Sequence, residues 1–352
     1  MNAPKVTVTV PIRNYGRYLR RCLDALVAQT LTDIEILCVD AGSTDDAPQI
    51  AAEYAAKDPR IRLIRLGPVG VASARNAALD AARAPYLMSC DADDWAEPTW
   101  CEELYAAVTS SGADLAVARA FIDGECPARQ RAVLEGHQRL KYSGVQEASV
   151  EMVERVDPAV WIKIFRLDVI RREGLRFPDG AVYEDWLFSV EYLSVVRRVA
   201  FLDRRLYHYV QHAGSILNGG VDRTARALDW VGNWKRLHSF LSSRGTLQSF
   251  WRGRFWEDFV RAVRRANGDD SPVAPEVQAD AAAFVASLPA SAFDGASPGT
   301  RPALDLLRRR ALNELRSEKR TFCGVTIWKY KRTVTEARAY LFGLRLYKRT
   351  YA

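Results

Sequence analysis

The chain has 352 residues, 26% of them charged and 48% hydrophobic, which fits folded globular domains and excludes a disordered or fibrous chain. At roughly 150 residues per domain there is room for about two domains. The net charge of +7 is uneven: residues 1–221 hold 26 Lys/Arg against 30 Asp/Glu, and residues 222–352 hold 24 against 13. The C-terminal part therefore addresses an anionic partner, nucleic acid or a membrane surface, unless it is merely a solvated basic face. No run approaches the ~18 consecutive apolar residues of a membrane span. The start, Met1-Asn2-Ala3-Pro4-Lys5, enters a strand without a secretory signal's apolar region. Six scattered cysteines form no Cys-x-x-Cys pair, and Cys38 and Cys90 lie in apolar runs, as expected of reduced thiols in a cytoplasmic protein.

In chain order, the alternating β-branched residues of Val6 to Val10 predict a first strand, closed by Pro11. Leu19, Cys22, Leu23, Leu26 and Val27 have helical spacing and predict a helix over Tyr18 to Gln29. Ile34 to Val39 reads as a second strand ending in Asp40, followed by the capping-rich turn Ala41 to Asp46 and a helix over Ala47 to Ala56. A third strand at Ile61 to Ile64, a Gly67 to Gly70 loop and an Ala-rich helix over Val71 to Ala82 follow. Tyr86 to Cys90 is a buried strand; a helix near Pro98 to Ser110 and a strand at Asp114 to Ala118 come next. This alternation predicts a doubly wound, mostly parallel α/β sheet. Residues 222–320 read as helical, interrupted by linkers at Asn267 to Pro275 and Leu288 to Pro302.

The buried fourth strand ends in three carboxylates within four residues, Asp91, Asp93 and Asp94. Ligands in open α/β sheets bind at the carboxyl ends of strands. Like charges at this spacing repel, and a divalent cation that also holds phosphate oxygens would resolve the conflict. The plainer reading is an acidic turn in which Asp94 caps the next helix. No Gly-x-Gly-x-x-Gly follows the first strand, no phosphate-binding Gly-x-x-x-x-Gly-Lys loop is present, and the four histidines show no zinc spacing.

Five landmarks occur in order: Val10-Pro11-Ile12-Arg13-Asn14-Tyr15, Val39-Asp40-Ala41-Gly42-Ser43-Thr44-Asp45, Gly70-Val71-Ala72-Ser73-Ala74-Arg75-Asn76, Asp91-Ala92-Asp93-Asp94-Trp95, and Tyr183-Glu184-Asp185-Trp186. With them, Val6 to about Ser215 resembles a family 2 glycosyltransferase of the bacterial polysaccharide type. The resemblance implies a GT-A, Rossmann-like mixed sheet flanked by helices in residues 1–220, a mainly helical extension over 221–319 and a basic aromatic tail over 320–352. It assigns the nucleotide to Pro11, Asp40, Arg75, Asp91 and Ala92, and a Mg²⁺ or Mn²⁺ ion to Asp93 and Asp91. Asp185 is implied as the base, with Glu184 beside it as a catalytic and acceptor-side group, and Trp161 and Lys163 on the acceptor side. Two departures stand out: Ala41 replaces a second acid, and Val210 and Gln211 stand where relatives carry an Arg, so that one pyrophosphate contact is either missing or supplied by His212.

The implied activity is inverting transfer of a sugar from a nucleotide-sugar donor, UDP-linked, to a glycan or lipid-linked acceptor in cell-surface polysaccharide biosynthesis. A phosphohydrolase would want its nucleophilic Asp after the first strand, where Pro11-Ile12-Arg13 stands. An inactive glycan-binding scaffold is the other alternative. In the tail, Gly324-Val325-Thr326-Ile327-Trp328-Lys329 is echoed by Gly343-Leu344-Arg345-Leu346-Tyr347-Lys348. These aromatics and cations suit an anionic membrane surface, at the inner face of the cytoplasmic membrane, or a hairpin packed on the catalytic domain. Similar tails in polysaccharide glycosyltransferases favour the membrane over the packed hairpin, and nucleic acid is not an expected partner.

Overall fold

The computed structural model describes residues 3–212, 223–245, 254–265, 275–294, 296–318 and five short strands between residues 320 and 350. Packing divides the chain into two units, Met1–Val221 and Asp222–Ala352.

The first unit holds nine strands: β1 (Val6–Ile12), β2 (Ile34–Asp40), β3 (Ile61–Arg65), β4 (Tyr86–Ser89), β5 (Trp95–Ala96), β6 (Leu115–Gly124), β7 (Gly144–Glu147), β8 (Lys163–Arg166) and β9 (Arg198–Gln211). Its helices are α1 (Gly16–Val27), α2 (Ala47–Lys57), α3 (Val71–Ala81), α4 (Trp100–Ser111), α5 (Ala128–His137), α6 (Val150–Arg155), α7 (Leu167–Arg172) and α8 (Glu184–Leu193). The strands form one sheet in the order β3-β2-β1-β4-β8-β6-β9-β5, with β7 also paired to β9.

β1 is buried on both faces, as a central parallel strand should be. Val6, Val8 and Val10 fill the core, while the intervening Thr7 and Thr9 need partners for their hydroxyls. Thr7 Oγ1 donates to Glu35 Oε2 at 2.9 Å and Thr9 Oγ1 to the Met88 carbonyl at 3.3 Å, linking β1 to both neighbours. Glu35 is tolerated in β2 because it also accepts the Arg83 N–H (3.0 Å) and pairs with Arg62. On α1, Leu19, Cys22, Leu23 and Leu26 are buried, in line with their spacing.

The sheet is parallel only across β3-β2-β1-β4 and for the β6–β9 pair; β8 runs antiparallel to β4 and β6, and β5 and β7 run antiparallel to β9. The mostly parallel sheet expected from the alternation is corrected here to a mixed sheet, as the family resemblance implies. A parallel return needs a crossover of about a dozen residues. Between β4 and β5 only residues 90–94 intervene, so the chain turns back at the acidic loop and β5 pairs beside β9. Cys22, Cys38, Cys90 and Cys101 are buried and free, matching reduced thiols.

In the second unit, α9 (Arg223–Ser243), α10 (Arg254–Arg265), α11 (Pro275–Ser287) and α12 (Arg301–Glu318) precede five strands. Trp234 packs edge-on against Phe255 at 5.2 Å, and Trp256 lies 4.8 Å from Phe293. Phe293 belongs to a short 3-10 turn, Ala290–Phe293, so the stretch read as a second linker contributes to this core. Most of the other linker, residues 267–274, lies outside the described residues. The tail strands are β10 (Arg320–Phe322), β11 (Val325–Trp328), β12 (Lys331–Thr333), β13 (Glu336–Leu341) and β14 (Leu344–Thr350), paired as a β10–β11 hairpin and a β12-β13-β14 sheet. The tail's side chains, on which the membrane expectation rests, lie outside the described residues. Among the described residues no helix is long and apolar enough to cross a membrane.

Candidate active site

The loops after β1 and β2 are tied together by short polar side chains. Asn14 adopts a left-handed backbone (φ 61°), where its Oδ1 accepts the Thr44 N–H at 2.8 Å and its own N–H donates to Ser43 Oγ at 2.9 Å. Asp40 is buried and accepts the Ser43 N–H at 3.1 Å, shaping the turn from within. Gly42 is required there: at φ +79°, an added Cβ would meet the Pro68 nitrogen at 2.6 Å. Pro11 lies on β1 opposite Val39, and Ala92 is buried.

Helix α3 carries the next landmark and uses it to hold a distant segment. Ser73 Oγ donates to Asp179 at 2.7 Å; Asn76 Nδ2 donates to the Phe177 carbonyl at 2.8 Å, and Asn76 Oδ1 accepts the Phe177 N–H at 2.9 Å. Arg75, 5% exposed, bridges Asp91 (2.7 Å) and Glu184, with Phe177 under its guanidinium at 5.6 Å. Burial works against its charge, and Asp91, Glu184 and Asp185 outweigh that penalty, so its pKa is raised. The chain then reaches α8 through Tyr183, a non-glycine residue at φ 64°, a sparsely populated conformation of the kind that collects at functional sites.

The three acids after β4 have three different environments. Asp91 faces Arg75, while its N–H donates to Tyr207 Oη at 2.9 Å. Asp93 lies 2.8 Å from His212 Nε2, and His212 stacks on Tyr18 at 4.6 Å. Burial and Asp91 push Asp93 above the usual carboxylate range, against the pull of His212. Asp94 is 1% exposed and takes neither of the expected roles, helix cap or metal contact: it accepts Tyr207 Oη–H (2.9 Å) and the Val210 N–H (2.7 Å). Burial first, then Asp93 and Asp91, hold its pKa well above normal.

Asp185 sits in the first turn of α8, where Oδ1 accepts the Trp186 N–H at 2.8 Å. Burial and then Glu184 raise its pKa to about 7, against the pull of Arg75. The two residues expected on the acceptor side are inside the protein. Trp161 is buried and stacks on Tyr207 (4.8 Å) and Tyr209 (5.1 Å); Lys163 has no exposed surface and donates to backbone carbonyls. Tyr207, Tyr18 and Arg21, which donates to the Asp93 carbonyl at 3.1 Å, were not singled out by sequence. A Tyr in an aromatic-rich strand carries no local signal of what its hydroxyl will meet.

Residues 7–172 match the family model described as Glycosyl transferase family 2. The matched residues lie within the N-terminal unit, which is similar to that family. EpsH of Bacillus subtilis (strain 168), which bears a glycosyltransferase name, is 31% identical over 237 residues, 62% of this chain and 64% of EpsH. Chondroitin synthase of Escherichia coli is 39% identical over 95 residues, 27% of this chain and 14% of that enzyme. The match to these relatives therefore spans less than two thirds of each. Residues 1–349 of TarS from S. aureus, solved in complex with UDP-GlcNAc, share the fold at TM-score 0.69 and 18% identity, covering 96% of this chain and 97% of that one. The mixed sheet is thus that of the GT-A fold.

Asp94→Ala should leave the Val210 N–H and the Tyr207 hydroxyl hydrogen without their acceptor and destabilise the first unit by about 3 kcal/mol. A urea midpoint equal to that of the wild type would show that the loop does not depend on this carboxylate.

Proposed function

We propose that the chain is a metal-dependent, inverting glycosyltransferase that moves a sugar from a UDP-linked donor to a glycan or lipid-linked acceptor in polysaccharide biosynthesis. The observation that carries this reading is the buried Asp91–Arg75–Glu184 bridge, which joins the acidic loop to the segment bearing Asp185. Donor-side and acceptor-side chemistry can then act on one anomeric carbon. The UDP-GlcNAc named with TarS and the polysaccharide product named for chondroitin synthase support the donor and pathway class.

A divalent cation fits the donor set. Asp93 and His212 converge at 2.8 Å, one hard oxygen donor and one imidazole nitrogen. Among the described residues no three His, Cys, Asp or Glu side chains gather as a ready-made cage. Two protein ligands suit an ion that takes the rest of its shell from diphosphate and water. Asp93 and His212 would hold Mg²⁺ or Mn²⁺, with Asp91 close by. The ion would offset charge developing on the leaving diphosphate. Asp40 and the loops around Pro11 and Ala92 serve the nucleoside; Arg75 fixes Asp91 rather than reaching solvent. Trp161 and Lys163 support the acceptor side from behind.

Asp185 acts as general base. Its Oδ1 is held by the Trp186 N–H, which leaves the other oxygen to take the proton from the attacking acceptor hydroxyl. One base and one direct displacement invert the anomeric centre without a covalent intermediate. The basic, aromatic tail of residues 320–352, within a C-terminal part that holds 24 Lys/Arg against 13 Asp/Glu, serves an anionic membrane, and the protein acts peripherally on the cytoplasmic face.

A thermal-shift panel of UDP- and GDP-sugars with and without Mn²⁺ tests the donor site. A UDP-sugar should stabilise the wild type more when metal is present, and Asp93→Ala should lose that metal-linked part together with turnover. Unchanged turnover in Asp93→Ala would remove this residue from the metal site. Asp185→Asn should lower turnover by at least ~10² while donor binding survives. In the wild type, the rate should rise with pH and level off above about 7, because the base is protonated below that value. If donor affinity collapses instead in the Asn variant, Asp185 belongs to the nucleotide site. For the tail, the intact chain should sediment with anionic vesicles at low salt and release at high salt, whereas truncation after Arg320 should abolish sedimentation and spare donor hydrolysis. An intact chain left in the low-salt supernatant would exclude the membrane role.

A further inference from the structure

Lys163 opens β8 with no exposed surface, and an ammonium is rarely buried without a direct carboxylate partner. Its Nζ instead donates to the carbonyl oxygens of Asp157 and Ala159, the latter at 2.6 Å. The Asp157 carboxylate is engaged elsewhere: Oδ2 accepts Gln138 Nε2 at 2.7 Å and Oδ1 accepts the Ala159 N–H at 2.9 Å. Lys163 thus fastens a turn, residues 157–159. From the other side α8 grips the same turn, where Ser189 Oγ donates to the Pro158 carbonyl at 2.5 Å. Ser189 lies one helical turn beyond Asp185, on the same face of α8.

We infer that Lys163 is a positioning residue for glycosyl transfer: its buried ammonium fastens the 157–159 turn that Ser189 of α8 holds, orienting the helix that carries Asp185 and keeping a cation within electrostatic reach of that carboxylate. The inference rests on the reading of Asp185 as the base. The groups acting on Asp185 include Glu184 on its own helix, Arg75 from α3 and Asp91 from the loop after β4. Lys163 in turn feels Asp157 and Asp185, and burial, opposed by these two, lowers its pKa to about 8. Removing the ammonium takes a cation from behind the base. The sign is fixed: Asp185 would hold its proton more tightly, and activity would need a higher pH.

The test is the pH profile of UDP release from UDP-GlcNAc with Mn²⁺, or of nucleoside diphosphate release from the donor that the melting panel selects. It is run on wild type, Lys163→Met, Lys163→Arg and Asp185→Asn. Lys163→Met should move the acidic limb up by about 0.5–1 pH unit and lower kcat, with little change in donor KM. Lys163→Arg, which keeps the charge, should return the limb to the wild-type position. A Met variant whose limb stays in place, whatever its kcat, would mean a packing role only and overturns the proposal. Should Lys163→Met fail to fold, Ser189→Ala decides: it releases α8 from the 157–159 turn and should lower kcat with little change in donor KM. A Ser189→Ala kcat equal to that of the wild type overturns the proposal as well. Asp185→Asn separates the two readings: full turnover there refutes the base and with it the ground of the Lys163 proposal, whereas lost turnover there with an unmoved Lys163→Met limb refutes the role of Lys163 alone.

Discussion

A guanidinium buried as deeply as Arg75 persists only against carboxylates, and here it has two, from segments remote in the chain. Asp91 follows β4, Arg75 lies on α3 and Glu184 opens α8, 109 residues beyond Arg75. Removing one partner of such a buried pair costs about 3–5 kcal/mol, because the other charge is stranded. The arrangement is therefore mutually enforcing: each segment needs the other two. Ser73 and Asn76 add hydrogen bonds to the 177–179 segment, so α3 positions the approach to Asp185.

Around that bridge, the acidic loop escapes its own repulsion by giving each carboxylate a separate partner. Asp91 is neutralised by Arg75, Asp93 meets an imidazole, and Asp94 turns inward to a hydroxyl and a backbone N–H. Groups of like chemistry whose environments pull their proton affinities apart are the usual sign of divided roles. Tyr207 joins two of the three, accepting from the Asp91 backbone and donating to Asp94. The loop is thereby pinned to β9, the strand that leads to His212.

The central elements were legible because their signals are local. Val6 to Val10 alternates, α1 repeats its apolar residues at helical spacing, and Tyr86 to Ser89 is a short apolar run. The 14-residue strand β9 was not, since Asp203, Arg204 and Arg205 interrupt its apolar pattern where it is exposed. Its pairing with β6 also extends β6 to Gly124, past the end its own pattern indicates. The landmarks at Asn14, Arg75, Asp93 and Asp185 stood out through residue type and order. Their partners did not, because a side chain's partner depends on which distant strand arrives beside it.

The sequence by itself determined the α/β alternation, the acidic end of β4 and the order of the five landmarks, since these follow from periodicity, turn chemistry and charge along a short stretch. Only the tertiary structure decided what each charge does. It sent Lys163 and Trp161 inward, gave Asp94 to Tyr207 and Val210, and closed Arg75 between Asp91 and Glu184. The physical reason is that the energy of a charged group is set by burial and by the neighbours it meets, and both arise from contacts between residues far apart in the chain.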